Sequence, residues 1–352
     1  MKVSALEFIP FNYRLKFSFR TSGGDIKERR GFFVKASGGG CEPGIGEAAP
    51  LPEFGTETFF QTQDALKEAE YLLCKHSWEY SGPQELTQSL AFLNDYPAAR
   101  HGIEQALLNL LVNNGKTTLD RLLNVHSNKR IRVNALIDLL SPGEVLLRAK
   151  TIIEAGFTTL KLKMGREEFE QDYQTVELIR KSFGNKVSLR LDVNGKWALP
   201  QAKENLKKLK HFCPEYIEQP VISREDFFEL CRTSPVPLAA DEILRSPEDA
   251  EEIIRNCKGA VLILKPMMAG GILNSLKVIN AAEMGGAQVV LSSAFETSVG
   301  RRATVFLASV VAPPTAHGLG TRDYLEGETY SDPFEIQRGI IEINDKADFH
   351  KV

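Results

Sequence analysis

Positive charge is not in excess in this 352-residue chain: 43 Lys and Arg stand against 46 Asp and Glu, a formal net charge of −3. With no basic field to hold a polyanion, nucleic acid is excluded as an expected partner. Long apolar runs are missing too, none approaching the ~20 residues a membrane helix needs. The N-terminal MKVSALEFIPFNYRLKFSF alternates apolar and polar residues like a strand, without the apolar core and small-residue cleavage site of a signal peptide. No membrane partner is expected. Cysteine is scarce and unpaired in sequence: Cys41, Cys74, Cys213, Cys231 and Cys257 are odd in number and form no CxxC. That argues against a disulfide framework or a structural zinc site, and for a reducing, cytoplasmic location. None of the six histidines has ligand spacing; His101 falls in a helical pattern and His317 beside a strand. The glycine clusters at 38–40 and 269–271 are turn chemistry and not phosphate fingerprints.

What is present is ordinary soluble composition, 43% hydrophobic and 25% charged. The length, at roughly 150 residues per domain, suggests two domains or one large domain with an appendage. Residues 1–55 read as strand, turn, strand: YRLKFSFR and RRGFFVKAS flank the breaker-rich TSGGD. From about 57 to 125 apolar residues recur at three and four spacing, as in TQDALKEAEYLLCKH and ARHGIEQALLNLLVNN. Residues 1–125 are therefore expected to form an α+β module. After SNKRIR the texture changes. Eight short apolar runs, VNALI, FTTLKLK, VSLRLD, EYIE, PLAAD, AVLILK, QVVLS and TAHGL, alternate with amphipathic helical stretches. Repeated strand and helix alternation implies a parallel sheet covered by helices. Eight units over residues 126–322 fit a (β/α) barrel better than an open sheet, which usually shows a glycine-rich turn after its first strand. The strand-like tail, about 323–352, is expected to return to the N-terminal module.

The ends of these runs carry polar groups at a regular interval. Lys163, Asp192, Glu218, Asp241, Lys265 and Ser292 each close one run, one strand-plus-helix repeat apart. A barrel gathers the C-terminal ends of its strands around one mouth, so six residues distant in sequence are expected at one site. Three of them are acids. A carboxylate after a strand also serves as the N-cap of the next helix, and a strand-end lysine also serves as a solvated rim residue. Three consecutive acidic strand ends favour the site reading. Crowded carboxylates repel unless a divalent cation neutralises them, and hard oxygen donors point to Mg²⁺, with Mn²⁺ possible. Lys161 and Lys163, two apart on one strand, share a face. Each ammonium is expected to lower the pKa of its neighbour toward a value useful to a base.

KLK, RLDVN, IEQP, ADE and LKP, in that order on successive runs, resemble the enolase superfamily in its muconate-lactonizing subgroup. That resemblance spans essentially the whole chain and implies a barrel with an α+β capping domain built from the N-terminal third and the tail. It also implies Asp192, Glu218 and Asp241 as metal ligands, Lys163 as acid/base supported by Lys161, and Lys265 on the opposite side of a small carboxylate substrate. Within the superfamily, GIGEAAPLPEFGTET (44–58), SSAFETSVG (292–300) and HGLGT (317–321) are similar to the o-succinylbenzoate synthase family. This second likeness implies dehydration of a succinyl-hydroxycyclohexadiene carboxylate, a step of menaquinone synthesis. It places Arg190 and Asn194 beside a metal ligand, and assigns substrate contacts to Ser292, the Gly318 amide, Arg20 and the GEAAPLP loop. Racemases, epimerases and cycloisomerases share the scaffold. Dipeptide epimerases typically place an acidic DxD after the eighth strand to hold an ammonium group, where this chain reads HGLGT.

Overall fold

A computed structural model describes every residue except 1, 22–23, 76–81, 313–314, 344–348 and 351–352; the side chains of 17–21 and 24–25 also lie outside the described set. Two modules share the chain. In the first, β1 (Val3–Thr21), β2 (Gly24–Gly38) and β3 (Gly44–Ala48) form an antiparallel sheet in that order. The helix Pro97–Gly115 lies across it so closely that a Cβ on Gly46 would stand 2.1 Å from the Gly102 carbonyl oxygen. The glycines of GIGE are there because backbone meets backbone.

The second module holds the eight expected runs, all of them as strands. β5 (Ala135–Ile137), β6 (Thr159–Lys163), β7 (Ser188–Asp192), β8 (Tyr216–Glu218), β9 (Leu238–Ala240), β10 (Val261–Leu264) and β11 (Gln288–Leu291) make a seven-stranded sheet in sequence order. Every pair in it is parallel. The first run is preceded by β4 (Arg130–Val133), and the chain changes partner at Asn134. The eighth, β12 (Ala316–His317), pairs with β4 on one side and reaches β11 on the other, where the Gly318 amide donates to the Leu291 carbonyl at 2.8 Å. The sheet thus curls into a barrel with helices outside, as the strand and helix alternation predicts.

Alternation along each strand decides what faces inward. On β6, Leu160 and Leu162 are fully buried among the outer helices, while Lys161 and Lys163 point to the barrel axis. In-register pairing sets Lys163, Asp192 and Glu218 side by side across β6, β7 and β8, with Lys161, Arg190 and Tyr216 one layer below. Trp197 is buried and meets Phe169 edge to face, so it belongs to the core and not to the mouth.

The tail divides. Its first part meets the N-terminal module, where Leu325 bridges Leu15 and the Glu326 amide donates to the Arg14 carbonyl. Its second part, β13 (Ile336–Gln337) and β14 (Ile340–Glu342), adds to the barrel instead, β14 running antiparallel to β4.

The cysteine expectation is corrected. Cys231 and Cys257 form a disulfide with their Cα atoms 5.3 Å apart. Their separation of 26 residues is one strand-and-helix repeat, so consecutive outer helices, Arg224–Thr233 and Pro247–Asn256, bring them together. A search for CxxC does not see that spacing, and the cysteines no longer argue for a reducing compartment. Among the described residues no helix is long and apolar enough to cross a membrane.

Candidate active site

A cavity of about 350 Å³ opens at the C-terminal ends of the strands, floored by Leu136, Tyr216, Ile263 and Val290. Lys161, Lys163, Asp192, Glu218, Asp241 and Lys265 all line it, as do Asn194, Ser292 and Gly318. Strand ends far apart in sequence therefore share one mouth.

The lysines and acids interlock. Lys161 Nζ lies 2.7 Å from Glu218 Oε1 and 3.0 Å from Asp192 Oδ2. Lys163 Nζ donates to Asp192 Oδ2 at 2.9 Å and to Asn194 Oδ1 at 2.6 Å. Lys265 pairs with Asp241, and the ring of Phe54, from the capping module, lies 4.6 Å from its ammonium. Burial lowers the Lys161 ammonium, but Asp192 and Glu218 outweigh it and hold the group well above its ordinary value. The expectation that paired ammonium groups depress one another therefore fails for Lys161, because two carboxylates lie within 3.0 Å of its Nζ. Burial raises Asp192, yet Lys161 and Lys163 together bring it far below the usual carboxylate range. Glu218 goes the other way: burial, then Asp192 and Asp241, push it up to about 8 against Lys161.

Among the described residues no three His, Cys, Asp or Glu side chains are close enough together to cage an ion. Lys161, Lys163 and Lys265 instead stand on oxygens of Asp192, Glu218 and Asp241. The donor set nevertheless fits a hard divalent cation. It is all oxygen and lines one cavity, Glu218 Oε2 is buried with no hydrogen-bond partner among the described residues, and burial and the neighbouring acids raise the Glu218 carboxyl.

Three substrate-contact expectations change. Arg190 is fully buried below the site, and its five N–H groups are spent on Glu215, Asn134, the Ala316 carbonyl and Thr315. It holds the barrel wall together and has no donor left for a substrate. The Gly318 amide is used in the bond that joins β12 to β11. Asn194 lines the cavity, but its amide group ties Lys163 to Glu242, to which it donates at 3.1 Å. Ser292 keeps its place in the wall. The Arg20 side chain lies outside the described residues. From the capping loop the cavity takes Phe54, and GEAAPLP contributes structure: Glu47 accepts from the amides of Thr297 (3.0 Å) and Gly300 (2.8 Å) at the start of the helix Ser298–Val310.

Sequence reasoning passed over Glu242, Arg245, Thr321 and Asp323, which also line the cavity. The Glu of ADE was the one visible signal, an acid beside an acid at a strand end. Burial, then Asp241, push Glu242 up to about 7.

Comparison with known proteins places this architecture. The family model described as Enolase C-terminal domain-like matches residues 144–347, more than half of the chain. The chain belongs to the enolase superfamily. Superfamily relatives of different reaction type are similar to it. It is 35% identical over 218 residues to an o-succinylbenzoate synthase of Thermobifida fusca, covering 60% of this chain and 66% of that protein. The match thus spans slightly under two thirds of that relative's length. It is 27% identical over 281 residues to an L-Ala-D/L-Glu epimerase of Francisella tularensis subsp. novicida, covering 79% and 78%. In structure it resembles a dipeptide epimerase from Enterococcus faecalis V583 complexed with Mg and the dipeptide L-Leu-L-Tyr, with a TM-score of 0.88 at 24% identity over 99% of both chains.

Proposed function

We propose that this superfamily enzyme is an o-succinylbenzoate synthase, a Mg²⁺-dependent lyase that dehydrates 2-succinyl-6-hydroxy-2,4-cyclohexadiene-1-carboxylate to o-succinylbenzoate in menaquinone synthesis. The observation that carries this reading is the cavity wall at the eighth strand. Gly318 and Gly320 line it where dipeptide epimerases typically carry two acids, beside the hydroxyl-bearing Ser292, Ser293 and Thr321. A desolvated ammonium group there would lack the charged partners it needs, at a cost of a few kcal/mol, while carboxylates and a ketone suit hydroxyl donors. The likeness to the T. fusca synthase supports the same choice.

Asp192, Glu218 and Asp241 would hold the Mg²⁺, which supplies positive charge against the negative charge that develops on the substrate carboxylate. Lys163 Nζ takes the proton from the carbon α to that carboxylate. The electron pair left behind forms the enediolate and then the new ring double bond as the neighbouring C–O bond breaks. Lys163 returns its proton to the departing hydroxide, so substrate becomes the aromatic product plus water. Asn194 aims the Lys163 amine, and cationic Lys265, held by Asp241 and Phe54, faces the intermediate from the other side. The capping ring of Phe54 helps keep bulk water from the reacting carbon.

A second reading has its own support. Lys163 on β6 and Lys265 after β10 flank the acids from both sides, an arrangement that also serves racemisation of N-succinylamino acids, which carry no free ammonium. Incubating the Mg²⁺-loaded protein with the cyclohexadiene and following the aromatic absorbance decides between them. Rapid appearance of product supports the synthase; its absence alongside racemisation of an N-succinylamino acid overturns it.

A further inference from the structure

Arg245 stands outside the lysine and acid network and is built differently from it. It follows β9, lines the same cavity and is exposed at its mouth. Its Nε donates to the Glu242 carbonyl at 3.2 Å. One face of its guanidinium is covered by the capping module: a Cβ placed on Gly55 would lie 2.7 Å from Cζ, 2.8 Å from Nη1 and 3.0 Å from Nη2. Near-equal distances to three atoms of one plane mean that the plane lies flat on Gly55, whose φ of 90° only glycine adopts freely. Among the described residues, neither Nη1 nor Nη2 has a hydrogen-bond or ion-pair partner. With the plane held at Nε and on one face, the free edge is the two-pronged end that matches a carboxylate.

We propose that Arg245, held between Glu242 and Gly55, is a second oxyanion subsite that binds the distal carboxylate of a dicarboxylate substrate at the seam between the capping module and the barrel. The inference rests on the reading above, in which the reacting carboxylate sits at Asp192, Glu218 and Asp241. Of the four cationic side chains described in the cavity, the three lysines are paired to those acids, and Arg245 alone has no ion pair. A substrate with one carboxylate at the acids has a second cation to reach. Because Arg245 is exposed, its contribution is selectivity of modest size.

The test is equilibrium binding of two probes to the Mg²⁺-loaded protein: o-succinylbenzoate, and the same molecule esterified at its succinyl carboxylate. The protein is expected to prefer the diacid by about tenfold. Arg245→Gln should bring that preference to within about twofold, with monoester affinity and melting temperature unchanged, and Arg245→Lys should restore part of it. Gly55→Ala, which pushes the guanidinium from its seat, should also reduce the preference. No preference in the unaltered protein, or a full preference in Arg245→Gln, overturns the subsite. Turnover of the cyclohexadiene on the same preparations keeps the two claims apart. Failure to dehydrate, with an Arg245-dependent preference intact, sinks the synthase reading alone; dehydration with an Arg245-independent preference sinks the subsite alone.

Discussion

Lys163 and Asn194 meet at 2.6 Å, the lysine Nζ donating to an amide oxygen whose own nitrogen is tied to Glu242. Among the described residues Lys265 has no such amide partner and faces Asp241 and Phe54 instead. The two lysines thus have different surroundings, as the proposed division of roles requires. Lys163→Ala is expected to lose dehydration and α-hydrogen exchange together, by a factor on the order of 10²–10⁴. Lys265→Ala should slow dehydration while keeping measurable exchange in D₂O. Exchange that survives in Lys163→Ala and vanishes in Lys265→Ala would reverse the roles.

Metal binding should carry a pH signature. A carboxyl pushed up to about 8 is mostly protonated at pH 7, and only its ionised form binds a cation. Mg²⁺ binding to the metal-free protein should therefore release about one proton below pH 8, with apparent affinity rising about tenfold per pH unit up to that point and levelling above it. Calorimetry in buffers of different ionisation enthalpy reads the proton directly. Glu218→Gln should abolish the release and weaken binding, and activity that persists after exhaustive chelation would show that the metal assignment is wrong.

Two buried histidines govern acid stability. Burial, with a neighbouring arginine, brings His101 down to about 4 and His317 down to about 3. His317 Nδ1 accepts from the Leu291 amide at 3.0 Å, whereas neither ring nitrogen of His101 has a partner among the described residues. Both must stay neutral in the fold, so the unfolded chain binds more protons below pH 6.5 and stability falls as the pH drops from there, by up to about 1.4 kcal/mol per pH unit per group. His101→Leu leaves no orphaned nitrogen and should flatten the slope between pH 6.5 and pH 4 by about one proton. Urea midpoints at pH 7 and pH 5 measure it; an unchanged slope would mean that His101 titrates normally.

The seam between modules depends on Glu47. Its carboxylate satisfies amides at the start of the helix Ser298–Val310, next to the cavity wall. Glu47→Ala leaves those donors buried and unpaired, which should cost about 1–3 kcal/mol in thermal unfolding. A variant as stable as the parent would show that water replaces the carboxylate.

Much of this was legible from the chain. The eight runs are eight strands because alternation and helix spacing are local signals, and a barrel turns one-repeat spacing into a shared mouth. That is why Lys163, Asp192, Glu218, Asp241 and Lys265 could be placed together from sequence. Neither alternation nor a motif reports how deep a side chain lies. Arg190, assigned to the site through the likeness of RLDVN, closes the barrel wall one layer below. Pairing partners are equally invisible, so the Gly318 amide read as free, and the Cys231–Cys257 disulfide was missed because helix adjacency, and not a short motif, creates it. Phe54 meets the site, and Gly55 covers the Arg245 guanidinium, only through docking of the two modules, which no local pattern encodes.

The choice of reaction turns on Gly318 and Gly320 standing in the wall while Asp323 is the nearby acid, exposed at the rim. The direct test is kcat/KM for dehydration of the cyclohexadiene and for epimerisation of L-Ala-L-Glu, measured on one preparation so that the active fraction cancels. A ratio of at least about 10² in favour of dehydration is expected, the selectivity that follows when a buried ammonium group finds no paired acids. Efficient epimerisation of the dipeptide with slow turnover of the cyclohexadiene would contradict it.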